Sequence, residues 1–389
     1  MMKSLFAAAL LAAGAGVADT ADFTKWDPRM AAENAVTDAN GVKWIDGRYL
    51  PIEGRAFTNV VTYYERLPQT VTTNVNEGVR GMKRHTSGMQ FRFTTTSPWI
   101  CCRWVPSGRR LYSGNMSPSG VSGIDIYTQD GGGKWLFAKG GGIREGVGGA
   151  WPTGVVDRVW IRPGTPILIN LPLYNGLRSF ELGLDAKGTV AALGPRRSGI
   201  ERPVVFYGTS ITHGGSATRP GLAFVNKVGR DLDVPIVNLG FSGCGWMEYE
   251  MSEHLAAIDA SCYVLDCLWN MTLREEDDAK HRKRSVERNY EPFIRNLRAK
   301  RPNVPIVMAE QCDVFCGKPN EKDQFIRALY ERLVAEGWKN LVYLPKTHMH
   351  FGDHEGTVDG CHPNDWGMMS MAAVFGGAVR EALGLRSGK

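Results

Sequence analysis

The sequence predicts two units in tandem: an all-β sandwich, then an α/β unit on a five-stranded parallel sheet. Three observations carry that expectation. Residues 44–184 alternate apolar and polar positions between glycine-rich turns. From Pro203 onward, short apolar runs alternate with helical spacings. The stretch 185–202 between them is richer in glycine, proline and charge and reads as a linker. With 389 residues the chain has room for two domains with sizeable cores.

In the first half, Met89-Gln90-Phe91-Arg92-Phe93, Gly123-Ile124-Asp125-Ile126-Tyr127 and Ser179-Phe180-Glu181-Leu182-Gly183-Leu184 each alternate. That is the pattern of a strand with one face buried. Turns such as Asp130-Gly131-Gly132-Gly133 separate such runs, as expected of packed antiparallel sheets. In the second half, apolar strands are expected at 204–207, 235–239, 263–268, 305–309 and 341–344. Between them Leu222, Val225, Val228 and Leu232 are spaced for a helix, as are Met247, Met251, Leu255 and Ile258. Phe293, Ile294 and Leu297 mark another, and Phe325, Ile326, Leu329 and Leu333 a fourth. A last helix is expected from about 365 to 383. Strands that are apolar throughout and alternate with helices imply a parallel sheet covered on both faces.

Apolar content of 43% and charged content of 22% are those of an ordinary soluble protein, and the net charge of +6 is modest. The densest basic run, Lys280-His281-Arg282-Lys283-Arg284, leads into a helical pattern and reads as a solvated face, so no nucleic-acid partner is expected. Lys3, the apolar run 5–13 and small residues through Ala18 read as a secretory signal over 1–18. An N-terminal extension over 19–43 would follow it. The apolar run is too short to span a bilayer and no other segment qualifies, so a secreted or periplasmic protein without membrane insertion is expected. Eight cysteines at irregular spacing do not form a disulfide framework. Nothing in the sequence sets the oligomeric state.

The chemistry-bearing residues gather at one edge of the predicted sheet. Ligand sites in open parallel sheets lie beyond the carboxyl ends of the strands. Ser210 follows the first strand, Gly243 the second and Asn270 the third; Asp359 and His362 follow the fifth. A serine hydroxyl needs an imidazole to take its proton, and the imidazole needs a carboxylate to hold its tautomer. Asp359-Gly-Cys-His362-Pro363 supplies the last two at three-residue spacing, with Pro363 restraining the histidine.

These segments resemble the sequence blocks of the SGNH (GDSL-type) hydrolases. Tyr207-Gly208-Thr209-Ser210-Ile211-Thr212 is similar to the first block, Asn238-Leu239-Gly240-Phe241-Ser242-Gly243 to the second, Leu268-Trp269-Asn270 to the third, and Asp359 to Pro363 to the fifth. Two departures stand out: Thr209 occupies the aspartate position of GDSL, and the third block lacks its usual glycine and aspartate. Gly123-Ile124-Asp125-Ile126-Tyr127 resembles the GxDLY signature of a sandwich domain that precedes some bacterial secreted SGNH enzymes, and Leu171-Pro172-Leu173-Tyr174-Asn175 is similar to that group too. The resemblance implies a flavodoxin-like α/β domain over 203–389 behind a jelly-roll-like sandwich over 44–184. It implies Ser210 as nucleophile, His362 as base then acid, and Asp359 as its orienting partner. The N–H groups of Ser210 and Gly243 and the Asn270 amide would form the oxyanion hole. It also implies an esterase acting on acylated, most often acetylated, carbohydrate without a cofactor. An acyltransferase with the same triad, or a carbohydrate-binding protein with an idle hydrolase domain, remains open.

Trp246 and Trp269 flank the oxyanion segments and, with Tyr174, are candidate sugar platforms; each could equally be core. His348, His350, Asp353 and His354 invite a metal reading, but no spaced partner such as His-Glu-x-x-His exists elsewhere, so no metal is expected. Gly140-Gly141-Gly142 and Gly146 to Gly149 lack the Lys-Ser/Thr that follows a phosphate loop and read as flexible turns.

Overall fold

The computed structural model describes residues 27–71, 75–275, 282–312, 318–346 and 354–386. The expected signal segment lies outside these, as do His348, His350 and Asp353. Among the described residues the chain forms three sheets.

Two antiparallel sheets make up the N-terminal half. One contains β1 (Val42–Asp46), β4 (Trp99–Pro106), β7 (Ile143–Arg144), β8 (Thr153–Trp160) and β10 (Leu177–Asp185), in the order β1-β10-β4-β8-β7. The other contains β2 (Ile52–Glu53), β3 (Gln90–Thr95), β5 (Ile124–Gln129), β6 (Trp135–Gly141), β9 (Ile167–Asn170) and β11 (Val190–Ala192). Its order is β11-β3-β9-β5-β6, with β2 added beside β3. Alternate residues of both sheets share one core: Ile100, Cys102, Trp104, Phe180 and Leu182 from the first, Phe91, Phe93, Ile124, Ile126, Ile167 and Ile169 from the second. The alternation read from sequence is therefore the buried side of a sandwich. The stretch expected as linker contributes β11, whose Val190 to Ala192 pair with Thr95 to Phe93. Two short helices interrupt the β-rich half: α1 (Glu77–Met82), capped by the Asn76 side chain, and α2 (Pro118–Val121), capped by Ser117.

The second half is the expected α/β unit. Strands β12 (Val204–Gly208), β13 (Ile236–Gly240), β14 (Cys262–Asp266), β15 (Ile306–Ala309) and β16 (Leu341–Leu344) are parallel, in the order β13-β12-β14-β15-β16. That second-first-third-fourth-fifth arrangement is one of the doubly wound orders. The helices are α3 (Ser210–His213), α4 (Phe224–Leu232), α5 (Tyr249–Ala257), α6 (Val286–Lys300), α7 (Glu321–Ala335) and α8 (Asp365–Ala382). Alternate residues of β12 face opposite ways: Val205 and Tyr207 meet α5, α6 and α7, whereas Val204 and Phe206 meet α4 and α8. The helix expected to begin near Met247 begins at Tyr249 instead. Met247 keeps its buried place but sits at φ 55°, its N–H donating to the Tyr207 hydroxyl at 3.2 Å.

The sandwich half is continuous with both cores of the α/β unit. Phe57, Val60, Leu67, Val75 and Val79 pack on the α5–α7 side, and Met116, Val121 and Leu173 on the α4/α8 side. A buried polar tie accompanies them. Asp125 of β5 accepts from Asn170 Nδ2 at 2.8 Å, and also from Arg219 (2.8 Å) and the Gly221 N–H (2.7 Å) of the α/β unit. Arg219 also donates to the Tyr127 hydroxyl and lies over the Phe137 ring at 3.9 Å. A carboxylate with no exposed surface is stable only when its oxygens are so occupied. Removing it strands a partly buried guanidinium and a buried N–H. Asp125→Ala is expected to lower unfolding free energy by about 3–5 kcal/mol, measured by urea titration of the full chain.

Candidate active site

The strand order brings the ends of β13, β12 and β14 side by side, and the site is built there. Gly208 ends β12 where there is no room for a side chain. A Cβ there would lie 2.1 Å from Thr212 Oγ1 and 2.6 Å from the Asp266 carbonyl oxygen. Thr209 is extended, and its hydroxyl caps α3 by accepting from the Ile211 N–H at 3.2 Å. A threonine therefore does the capping that an aspartate can do at the same position. Ser210 opens α3 and is 8% exposed. Gly214, at φ 101°, ends the helix.

The Asp359–His362 pair comes from the loop after β16. The loop is closed by the Thr357↔Pro363 bridge, by Val358 N–H on the His362 carbonyl (3.0 Å), and by Asn364, whose side chain donates to the Glu355 carbonyl (2.6 Å) and caps α8. Gly360, at φ 80°, makes the turn. His362 Nε2 stands 2.8 Å from Ser210 Oγ, and His362 Nδ1 stands 2.8 Å from Asp359 Oδ2. Asp359 Oδ1 accepts from the Cys361 (3.0 Å) and His362 (2.7 Å) N–H groups. Partial burial pushes the Asp359 carboxyl upward. The His362 amide and imidazole and the Cys361 amide outweigh it, leaving the carboxyl below the usual carboxylate range. An ionised Asp359 holds the proton on Nδ1, so Nε2 carries the lone pair that faces the serine hydroxyl.

Gly243, beyond β13, has φ 71° and open space where a Cβ would stand. Asn270 ends a 3₁₀ turn after β14, and its Oδ1 accepts from the Gly245 N–H at 3.3 Å. Gly245 itself packs onto the first block, with a hypothetical Cβ 2.6 Å from the Gly208 carbonyl oxygen.

The three aromatic candidates part ways. Half-buried Trp246 donates from Nε1 to the Gly243 carbonyl at 2.8 Å, so its ring stands at the Gly243 turn. Trp269 donates to the Cys312 carbonyl and packs against the α4/α8 core. Tyr174 stacks on His213 with centroids 4.1 Å apart and donates to the Ser210 carbonyl at 3.0 Å. It thus braces the Ser210 segment from the sandwich side. Beneath it lies a buried cluster with one cation. Arg66 donates to the Asn238 (3.2 Å), Gly240 (2.7 Å) and Met82 (3.0 Å) carbonyls, while burial, then Arg66, pushes His85 down to about 3 and His213 well below its usual value. Both imidazoles are neutral there. Among the described residues no group of three or more His, Cys, Asp or Glu side chains is placed to hold a metal.

Asn115, in the β4–β5 loop, also reaches the site. Its Nδ2 donates to Asp359 Oδ2 at 2.9 Å. No pattern in the sequence marks it, because the two residues are 244 positions apart and meet only through the packing of the two halves.

Asp266, at the end of β14, is fully buried below α3 and accepts from Thr212 Oγ1 at 2.7 Å. Burial lifts its carboxyl from 3.8 to about 7, with the Thr212 bond pulling the other way. The folded state therefore binds this proton more tightly than the unfolded chain. The group's contribution to stability is full below 3.8 and is lost as pH rises towards about 7. The loss runs at up to about 1.4 kcal/mol per pH unit. Asp266→Asn keeps an acceptor for Thr212 and removes the titration. Urea unfolding across that window should show the variant gaining on the wild type as pH rises.

Comparisons with known proteins bear on both halves of the chain. Residues 201–380 match the GDSL-like lipase/acylhydrolase family, and residues 42–190 match the GxDLY domain, the N-terminus of SGNH-hydrolase-type esterases. A GDSL-like lipase from Bacteroides ovatus is 29% identical with a TM-score of 0.74, over 90% of this chain and 100% of that one. A salicylyl-acyltransferase from a tetracycline biosynthetic pathway is 18% identical with a TM-score of 0.68, over 90% of this chain and 100% of that one. A family two carbohydrate esterase from Clostridium thermocellum, in complex with cellohexaose, is 15% identical with a TM-score of 0.51, over 77% and 93%. The last two likenesses are of fold alone. No curated protein matches the chain. Residues 201–380 belong to the GDSL-like (SGNH) hydrolase family, and a GxDLY-type domain precedes them over residues 42–190.

Proposed function

We propose that this protein is an exported serine esterase that removes O-acyl groups, foremost O-acetyl, from carbohydrate. The observation that carries the reading is the unbroken line of short contacts from Ser210 Oγ to His362 Nε2 (2.8 Å) and from His362 Nδ1 to Asp359 Oδ2 (2.8 Å). Ser210 Oγ attacks the ester carbonyl while its proton passes to His362 Nε2. The carbonyl oxygen becomes an oxyanion, taken by the Ser210 and Gly243 N–H groups and the Asn270 amide. Gly245 occupies Asn270 Oδ1, which leaves the Nδ2 donor for this task. As the carbon–oxygen bond to the alcohol breaks, His362 returns the proton to the leaving oxygen. Water then attacks the acyl-enzyme, giving its proton to Nε2, and the carboxylic acid departs as Ser210 recovers its hydrogen.

Carbohydrate as the alcohol is supported by Trp246, whose ring flanks the oxyanion segment and offers a face for a sugar to stack on. Trp269 and Tyr174 are committed to the Cys312 carbonyl and to His213, so the substrate role falls to Trp246. Export rests on the signal-like residues 1–18, and the working division is a sandwich domain over 44–184 and a hydrolase domain over 203–389.

Ser210→Ala and His362→Ala should each lower acetate release from acetylated oligosaccharides by about 10⁴-fold or more while the circular dichroism spectrum is unchanged. Asn270→Ala should lower kcat by about 10²–10³. Full activity in either triad variant would overturn the reading. Acyl product that forms only when an alcohol acceptor is added would move it from hydrolysis to transfer.

A further inference from the structure

The loop between β4 and β5 is held over the acid–base loop from both ends of a tight turn. Ser113 and Met116 exchange backbone hydrogen bonds, which places Gly114 and Asn115 at the tip. Met116 is buried in the α4/α8 core of the hydrolase half. Ser117 and Ser119 donate to the Thr218 carbonyl at 3.3 and 2.8 Å, and Thr218 donates from N and Oγ1 to the Asp365 carboxylate at 2.9 and 2.6 Å. Asp365 opens α8, three residues past His362. Gly120 comes so close to the Ala217 carbonyl that a Cβ would stand 2.4 Å from its oxygen. Turn and acid–base loop are thus fastened to the same frame.

At that tip, exposed Asn115 directs Nδ2 onto Asp359 Oδ2, the oxygen that also takes His362 Nδ1–H. An exposed polar contact adds little to folding, so stability gives no strong reason for an amide here. On a carboxylate, however, it fixes rotation. Oδ1 is held by two backbone N–H groups, and Oδ2 is held between an amide and an imidazole.

We propose that Asn115 is a positioning residue for the Asp359–His362 pair, so that the sandwich half supplies one member of the hydrolase site. This rests on the serine-esterase reading above. His362 is the ionisable group acting on Asp359, and the sandwich turn adds an uncharged amide. A carboxylate placed there instead would oppose ionisation of Asp359.

The test uses the full chain, with wild type, Asn115→Ala, Asn115→Asp and Ser210→Ala compared on a small aryl acetate across the pH range, alongside thermal melts. Asn115→Ala should lower kcat by about tenfold with KM and melting temperature unchanged, the loss expected for a hydrogen bond to a charged group. Asn115→Asp should move the acid limb of kcat/KM to higher pH by about one unit. Wild-type kcat and pH profile in both variants, with Ser210→Ala inactive, would overturn the positioning role alone. So would a loss of activity that tracks a lower melting temperature with the pH profile in place, since that is what a mere strut would do. Retained activity in Ser210→Ala would remove the triad, and the role of Asn115 with it.

Discussion

The site depends on the hydrogen-bonded adjacency of β13, β12 and β14. Neighbouring strands in a sheet stand about 4.8 Å apart, so residues that leave three adjacent strands at the same edge are neighbours whatever their separation in sequence. Gly208 pairs with Gly240 on one side and Asp266 on the other, and the segments that follow carry Ser210, Gly243 and Asn270. Glycines permit the close stacking of these exits. A Cβ on Gly240 would meet the His213 nitrogen at 2.2 Å, and one on Gly245 would meet the Gly208 carbonyl carbon at 2.8 Å. The sheet thus sets the spacing, and the missing side chains let the loops settle onto it.

The second determinant is the way the β-rich half is built into the hydrolase half. Each face of the parallel sheet receives apolar side chains from the sandwich side, and Arg66 and Asp125 carry buried charge across the junction. This gives a physical meaning to the Asp125 and Tyr127 positions of the GxDLY-like signature. They grip Arg219, which lies in the segment that follows α3. Tyr174 acts in the same direction by bracing the Ser210 carbonyl. The sandwich works here as part of the scaffold that holds the Ser210 segment.

Much of this was legible from residue order. The five parallel strands were found within one or two residues, because strands apolar along their whole length leave a plain mark. The helix start was misplaced at Met247, whose apolar spacing fits a helix although its backbone is left-handed. Periodicity reports which face is buried; it does not report where φ changes sign. The linker expectation missed β11, since three residues at a sheet edge carry too short a pattern to register. Of the aromatics, composition could nominate Trp246, Trp269 and Tyr174 but could not say which ring edges were already occupied.

By itself the sequence determined the local chemistry: a glycine-led turn into Ser210, a Thr209 cap, and a carboxylate and imidazole three residues apart in a loop. These depend on neighbours along the chain, and their geometry follows from nearby φ, ψ and hydrogen bonds. The tertiary structure decided what only long-range packing can decide. It brought the loop after β16 back to Ser210, buried Asp266 beneath α3, and laid Asn115 against Asp359 across 244 residues. Contacts between distant residues depend on how two cores fill space together, and a single chain read in order carries no local trace of that.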